Sequence, residues 1–228
     1  MRQRIQTSPG GFTIVEMLVV VAIFSIATLI ATNIFVIINR SSQRVAAAQK
    51  VQGDLRFALE AITREVRFGT VDYECYDSSA TLGNAPCDLS PTLPDLLSTT
   101  GKTALLALRD ANGNRIRYEV INDTNGIPKL QVCYIDVTTE ELTKCNAASS
   151  WQIVTSEDVR ITNGDFYVYP FTDPFRLRSP IPPTGTSPYD YDQQPVVTIV
   201  LKTRQVSNVV SPENISAQTT AVSRYYVR

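Results

Sequence analysis

Residues Met17–Ile38 form 22 consecutive positions that are apolar except for Ser25, Thr28, Thr32 and Asn33. As a helix rising about 1.5 Å per residue this run is about 33 Å long, enough to cross a hydrocarbon layer of about 30 Å. Arg2 and Arg4 precede it, and the bias of basic residues toward the cytoplasm predicts a cytoplasmic N terminus with everything after Asn39 on the far side. A cleaved secretory signal has a shorter apolar core followed by small residues; this run is longer, and no such site follows it. A plain signal anchor would fit, but for Glu16. A carboxylate at the mouth of a membrane helix costs up to about 2.5–3.5 kcal/mol if carried to mid-bilayer, less near the interface, and so calls for a partner.

The rest of the composition excludes several function classes. The 228-residue chain has no histidine, which removes Ser/His and Cys/His nucleophilic pairs and most catalytic zinc sites. The formal charge is −1, without the basic excess expected of a nucleic-acid-binding protein. Cys75, Cys87, Cys133 and Cys145 all lie beyond the apolar run, in an oxidising compartment if the predicted orientation holds. Pairing Cys75 with Cys87 and Cys133 with Cys145 closes two loops of equal length, each contributing about 3 kcal/mol by chain entropy; two other connectivities stay open. No C-x-x-C is present to suggest zinc, and no cofactor is expected.

The junction Pro9-Gly10-Gly11-Phe12-Thr13-Ile14-Val15-Glu16-Met17-Leu18-Val19-Val20 resembles the class III signal of type IV pilins, type II secretion pseudopilins and competence pilins. The resemblance implies cleavage between Gly11 and Phe12 by a prepilin peptidase, N-methylation of the new Phe12 amine, and pairing of Glu16 with the terminal amine of a neighbouring subunit for assembly and registration. It further implies as partners other pilin or pseudopilin subunits and an inner-membrane assembly platform. Asn33 stands where many major pilins carry a helix-breaking proline, and no proline occurs between Thr13 and Phe68.

Leu55, Leu59, Ile62 and Val66 recur at helical spacing while Arg56, Glu60 and Arg64 fall on other faces, which predicts one long helix ending near Gly69, with Gly53 a candidate bend. Val51–Gly69 is similar to the same region of J-type minor pseudopilins and W-type minor pilins. Thr70–Gly101 lacks periodicity and reads as a long irregular connection. Ile116, Tyr118 and Val120 alternate with Arg115, Arg117 and Glu119, predicting a half-buried strand that pairs with Ala104–Arg109 across Asn112-Gly113. A second Asn-Gly, Asn125-Gly126, precedes Leu130–Ile135 and predicts a three-stranded meander. The stretch Asp110–Asn114 looks like half a calcium loop, but turn chemistry accounts for it. Further strands are expected at Gln152–Thr155, Val159–Thr162, Asp165–Tyr169, Val196–Arg204 and Thr219–Val227. Between Pro170 and Pro195 lie seven of the 13 prolines, with Tyr189, Asp190, Tyr191 and Asp192, a long loop suited either to partner contact or to a solvated excursion.

The expected fold class is α+β and type IV pilin-like, a long N-terminal helix with a transmembrane first half, packed on an antiparallel β-sheet head. The expected organisation is a leader at 1–11, a helix at 12–68 with 12–39 as transmembrane or filament core, and an extracytoplasmic head at 69–228. The leading expectation is a minor pilin or pseudopilin, a non-enzymatic subunit of a pilus or secretion pseudopilus or of its tip. A membrane-tethered adhesin using the same export route, a major pilin, and an enzyme on a signal anchor are the alternatives; no catalytic constellation supports the last.

Overall fold

The computed structural model describes residues 10–76, 100–136, 145, 148–156, 159–176, 189, 193–205 and 214–224. The chain divides into two compact units, Met1–Ala47 and Ala48–Arg228. Helix α1, Ile14–Phe68, is 55 residues long. It runs unbroken through Asn33 and through Gly53.

In the first unit the apolar residues from Phe12 to Ile38 are exposed, and an 18-residue window of the helix has a mean hydropathy of 2.6. The hydroxyls of Ser25, Thr28 and Thr32 each donate to the carbonyl four residues earlier at 2.8 Å. Their hydrogen-bonding demand is met within the helix, as a bilayer requires.

In the second unit α1 buries Val51, Leu55, Ala58, Leu59, Ile62 and Val66. These positions form one stripe at helical spacing, and each large aliphatic side chain contributes about 1.5–3 kcal/mol by leaving water. The stripe shares a core with the inner faces of two antiparallel sheets. The first sheet has the order β1-β3-β4-β5-β6 and the second β2-β7-β8-β9. Their strands are β1 (Thr70–Val71), β2 (Lys102–Thr103), β3 (Leu105–Arg109), β4 (Arg115–Asn122), β5 (Pro128–Ile135), β6 (Gln152–Ile153), β7 (Val159–Tyr169), β8 (Val196–Gln205) and β9 (Asn214–Val222). A one-turn helix α2, Tyr73–Tyr76, follows β1, inside the stretch expected to be irregular.

The meander β3-β4-β5 forms as expected, with Leu108 opposite Ile116 and Tyr118 opposite Val132. Its two turns share one device. Asp110 Oδ1 accepts from the amides of Asn112 and Asn114 at 2.8 Å. Asp123 Oδ1 accepts from Asn125 and Ile127 at 2.8 and 2.9 Å. Gly113 and Gly126 take the left-handed conformation that closes each turn, with φ of 86° and 72°.

Three local readings differ from expectation. Arg117 is buried although alternation places it on the solvent face of β4. Its cross-strand partner is Cys133, and the Cys133, Ile135 and Cys145 cluster with Trp151 covers that face. The segments expected at Val159–Thr162 and Asp165–Tyr169 are one strand, β7, carrying an irregularity between Ile161 and Asn163; such a bulge bends a strand without ending it. The last strand is Asn214–Val222 rather than Thr219–Val227: Ser216 and Gln218 join the ladder with β8 although their side chains give no apolar signal, and Tyr225–Val227 lie outside the described residues.

Candidate functional site

Gly10–Thr13 are non-helical and α1 begins at Ile14. The Glu16 amide donates to Thr13 Oγ1 at 3.3 Å, and the Met17 amide donates to the Thr13 carbonyl at 3.2 Å. Thr13 is therefore the N-cap, satisfying one of the amides that a helix start leaves unpaired. Thr13-Ile-Val-Glu16 has the spacing of a capping box. Thr13 is a residue that apolar patterning does not mark; its sequence signal is the T-x-x-E spacing to Glu16.

This cap fixes where the helix can and cannot reach. The Gly11–Phe12 peptide lies just outside it, in non-helical chain. No atom lies within 4 Å of a Cβ built on Gly10 or Gly11, and Phe12 is 75% exposed. Glu16 sits in the first turn of α1, where the partial positive charge of the helix start favours a carboxylate. The segment thus presents an accessible bond next to a capped apolar helix, with one acidic group a turn inside it.

Of the four cysteines, Cys133 and Cys145 form a disulfide. Trp151 Nε1 donates to the Cys145 carbonyl at 2.8 Å. Cys75 is buried and disulfide-bonded; its expected partner Cys87 lies outside the described residues. The expected loop is described only as Pro170–Arg176, Tyr189 and Gln193–Pro195, so Asp190, Tyr191 and Asp192 lie outside as well. Within it the Tyr73 hydroxyl donates to the Pro170 carbonyl at 2.8 Å, and the rings of Phe175 and Tyr189 meet edge to face with centroids 6.2 Å apart.

The head contains one charged cluster that periodicity did not reveal. Asp72, 2% exposed, follows β1, and its amide donates to the Ala107 carbonyl at 3.0 Å. Arg109 Nη2 lies 2.9 Å from one carboxylate oxygen and Arg115 Nε lies 3.4 Å from the other. Glu74 pairs with both arginines from the solvent side. Burial raises the Asp72 carboxyl above its ordinary range, and the two guanidiniums offset part of that rise. The buried Tyr76 hydroxyl donates to the Leu105 carbonyl at 3.0 Å and accepts from the Ala107 amide at 2.6 Å. It occupies the edge of β3 where β1 has ended. Together these contacts tie the helix-to-sheet connection to the meander, a structural task. Lys129 is fully buried, with its amine donating to the carbonyls of Ser156 and Val159 at 2.8 and 2.7 Å. Among the described residues no three His, Cys, Asp or Glu side chains converge as a metal site.

Residues 8–32 match the family model described as the prokaryotic N-terminal methylation motif. No curated protein and no solved structure matches the chain at a significant level. The motif covers the junction, the cap and most of the apolar run, which are the features just built up from the residues. The chain carries the prepilin-type class III signal of the type IV pilin and pseudopilin family, on an architecture of long helix and antiparallel sheets consistent with the type IV pilin fold.

Proposed function

We propose that this chain is the precursor of a minor pilin or pseudopilin, a structural subunit anchored by α1 with its leader in the cytoplasm and its head on the other side. A prepilin peptidase cuts between Gly11 and Phe12, and the Phe12 amine is methylated. The mature subunit then joins other pilin-like subunits in a filament or at its tip, delivered by an inner-membrane assembly platform. The methylation motif, lying across an exposed Gly-Gly-Phe segment and the capped start of an apolar helix, carries this reading. A non-helical segment can be drawn out in a protease cleft, and glycines at both positions disfavour extension of the helix over the bond.

Cleavage creates a cationic amine four residues before Glu16. In an apolar bundle each of these charges needs a partner, and pairing the Glu16 of one subunit with the Phe12 amine of another fixes axial register. Removing one member of a buried pair costs about 3–5 kcal/mol, because the remaining charge is left unpaired. Domain boundaries at 1–11, 12–68 and 69–228 follow from this reading.

Intact mass and N-terminal sequencing of the membrane-extracted protein test it. Coexpression with a prepilin peptidase is expected to yield a chain starting at methylated Phe12, and recovery of Met1 under those conditions refutes the assignment. Glu16→Ala should be cut normally yet fail to enter filaments; normal incorporation would remove the registration role.

A further inference from the structure

The edges of the two sheets are treated unequally. β1 and β6 bound the first sheet and β2 bounds the second, and each of these is two residues long. Beyond β2, the same side of β7 is met by Lys129, whose amine donates to the Val159 carbonyl. β9 differs. It is nine residues long, pairs only with β8 among the described residues, and keeps one register throughout. Its sequence, Asn-Ile-Ser-Ala-Gln-Thr-Thr-Ala-Val, contains no charge and no proline. A long, flat strand edge without charge, proline or bulge is a template for pairing with another chain, and proteins ordinarily blunt such edges.

Beside that edge runs a groove of about 510 Å3 between α1 and β9. Arg56, Glu60, Arg64 and Arg67 line it from the helix, Gln218 and Thr219 from the strand. Arg224 closes one end, where its amide donates to the Arg67 carbonyl at 3.1 Å. Four guanidiniums thus face the groove against one carboxylate. Arg64 lies 3.5 Å from Glu65, whereas Arg56, Arg67 and Arg224 have no acidic partner among the described residues. Phe68, 70% exposed, adds an apolar wall.

We infer that this groove receives an extended acidic segment of a partner protein, which adds as a further strand along β9. Backbone pairing with β9 supplies affinity without regard to sequence, and alternate side chains of an added strand face opposite ways. Acidic residues at every second position would all face the arginines of α1, so the charge pattern selects the partner. The inference concerns the head alone and holds whether or not the chain is built into a filament.

The test uses the full chain in neutral detergent and a fluorescein-labelled peptide of alternating Glu and Val, about eight residues long. Fluorescence anisotropy should show binding, and hydrogen exchange should show new protection of the amides in 214–222. A peptide of equal charge carrying prolines cannot complete the ladder, and a Lys-Val peptide has the wrong sign; each should bind about tenfold more weakly or worse. The double variant Arg67→Glu/Arg224→Glu changes two exposed side chains and should lose about tenfold in affinity or more, with an unchanged urea midpoint showing an intact fold. Equal binding of the proline peptide, absence of binding by the Glu-Val peptide, or its displacement by dihexanoyl phosphatidylserine would each overturn the inference. The last outcome would assign the groove to lipid headgroups.

Discussion

Two glycines of the helix and its exit provide a paired test of how α1 joins the sheets. Gly53 lies within α1, exposed, and a Cβ built on it meets no atom within 4 Å. Alanine there should stabilise the protein by about 0.8–1 kcal/mol, because glycine in a helix interior carries that penalty. Gly69 ends the helix, and a Cβ on it would collide with the Arg109 carbonyl oxygen and lie 2.9 Å from that of Glu65. Neither oxygen moves freely. Arg109 is paired with Thr70 in the β1–β3 ladder, and the Gly69 amide donates to the Glu65 carbonyl at 2.8 Å. The Gly69 carbonyl is held in turn by the Ser223 hydroxyl at 2.6 Å. Forcing a methyl group into such a site costs about 1–3 kcal/mol. The two variants should therefore differ by about 2–4 kcal/mol, with opposite signs relative to the parent. Urea unfolding of the full chain in neutral detergent, followed by the fluorescence of Trp151, the sole tryptophan, reads this directly. At a slope of about 1–3 kcal/mol per molar, Gly69→Ala should unfold roughly 1 M earlier than the parent. Equal midpoints for the two variants, or Gly69→Ala above the parent, would refute the close-approach argument.

The same assay checks the Cys133–Cys145 bridge, whose cysteines are 12 residues apart. The Cys133→Ser/Cys145→Ser double variant should lose about 3 kcal/mol by chain entropy and shift the Trp151 emission, since that indole donates to the Cys145 carbonyl; an unchanged midpoint would show that the packing holds without the bridge. Asp72 gives a prediction with a definite sign. Its carboxyl titrates above its ordinary value of 3.8 because it is buried, so the folded chain binds that proton more readily than the unfolded one. Its favourable contribution is full below the unfolded value and is lost as pH rises through the folded one. Measured against Asp72→Asn, the parent should gain relative stability as pH falls from 7 toward 4, and the opposite slope would show that the arginines dominate over burial.

The N-terminal segment is legible directly in its residues. A 22-residue apolar run and the Gly-Gly-Phe segment before it are set by local physics, namely helix length and backbone freedom at two glycines, and no distant residue changes them. The helical stripe from Leu55 to Val66 and the two Asp-x-Asn-Gly turns were legible for the same reason, since each is written within a few neighbouring residues. Arg117 was misread because alternation reports which residues share a face, and only the distant Cys145 and Trp151 determine that this face is covered. The continuous β7 was divided because a bulge looks like a gap to a pattern of period two. Asp72, Tyr76 and Lys129 gave no local signal: each is buried by partners roughly 30 or more residues away in the chain, and burial of a polar group is stable only once those partners arrive. The edge of β9, unpaired among the described residues and beside four arginines, likewise exists only after α1 and the last strand are brought together. The sequence alone determined the methylation-type signal and the long apolar helix; tertiary packing decided which polar groups are enclosed and which long strand edge stays unpaired among the described residues.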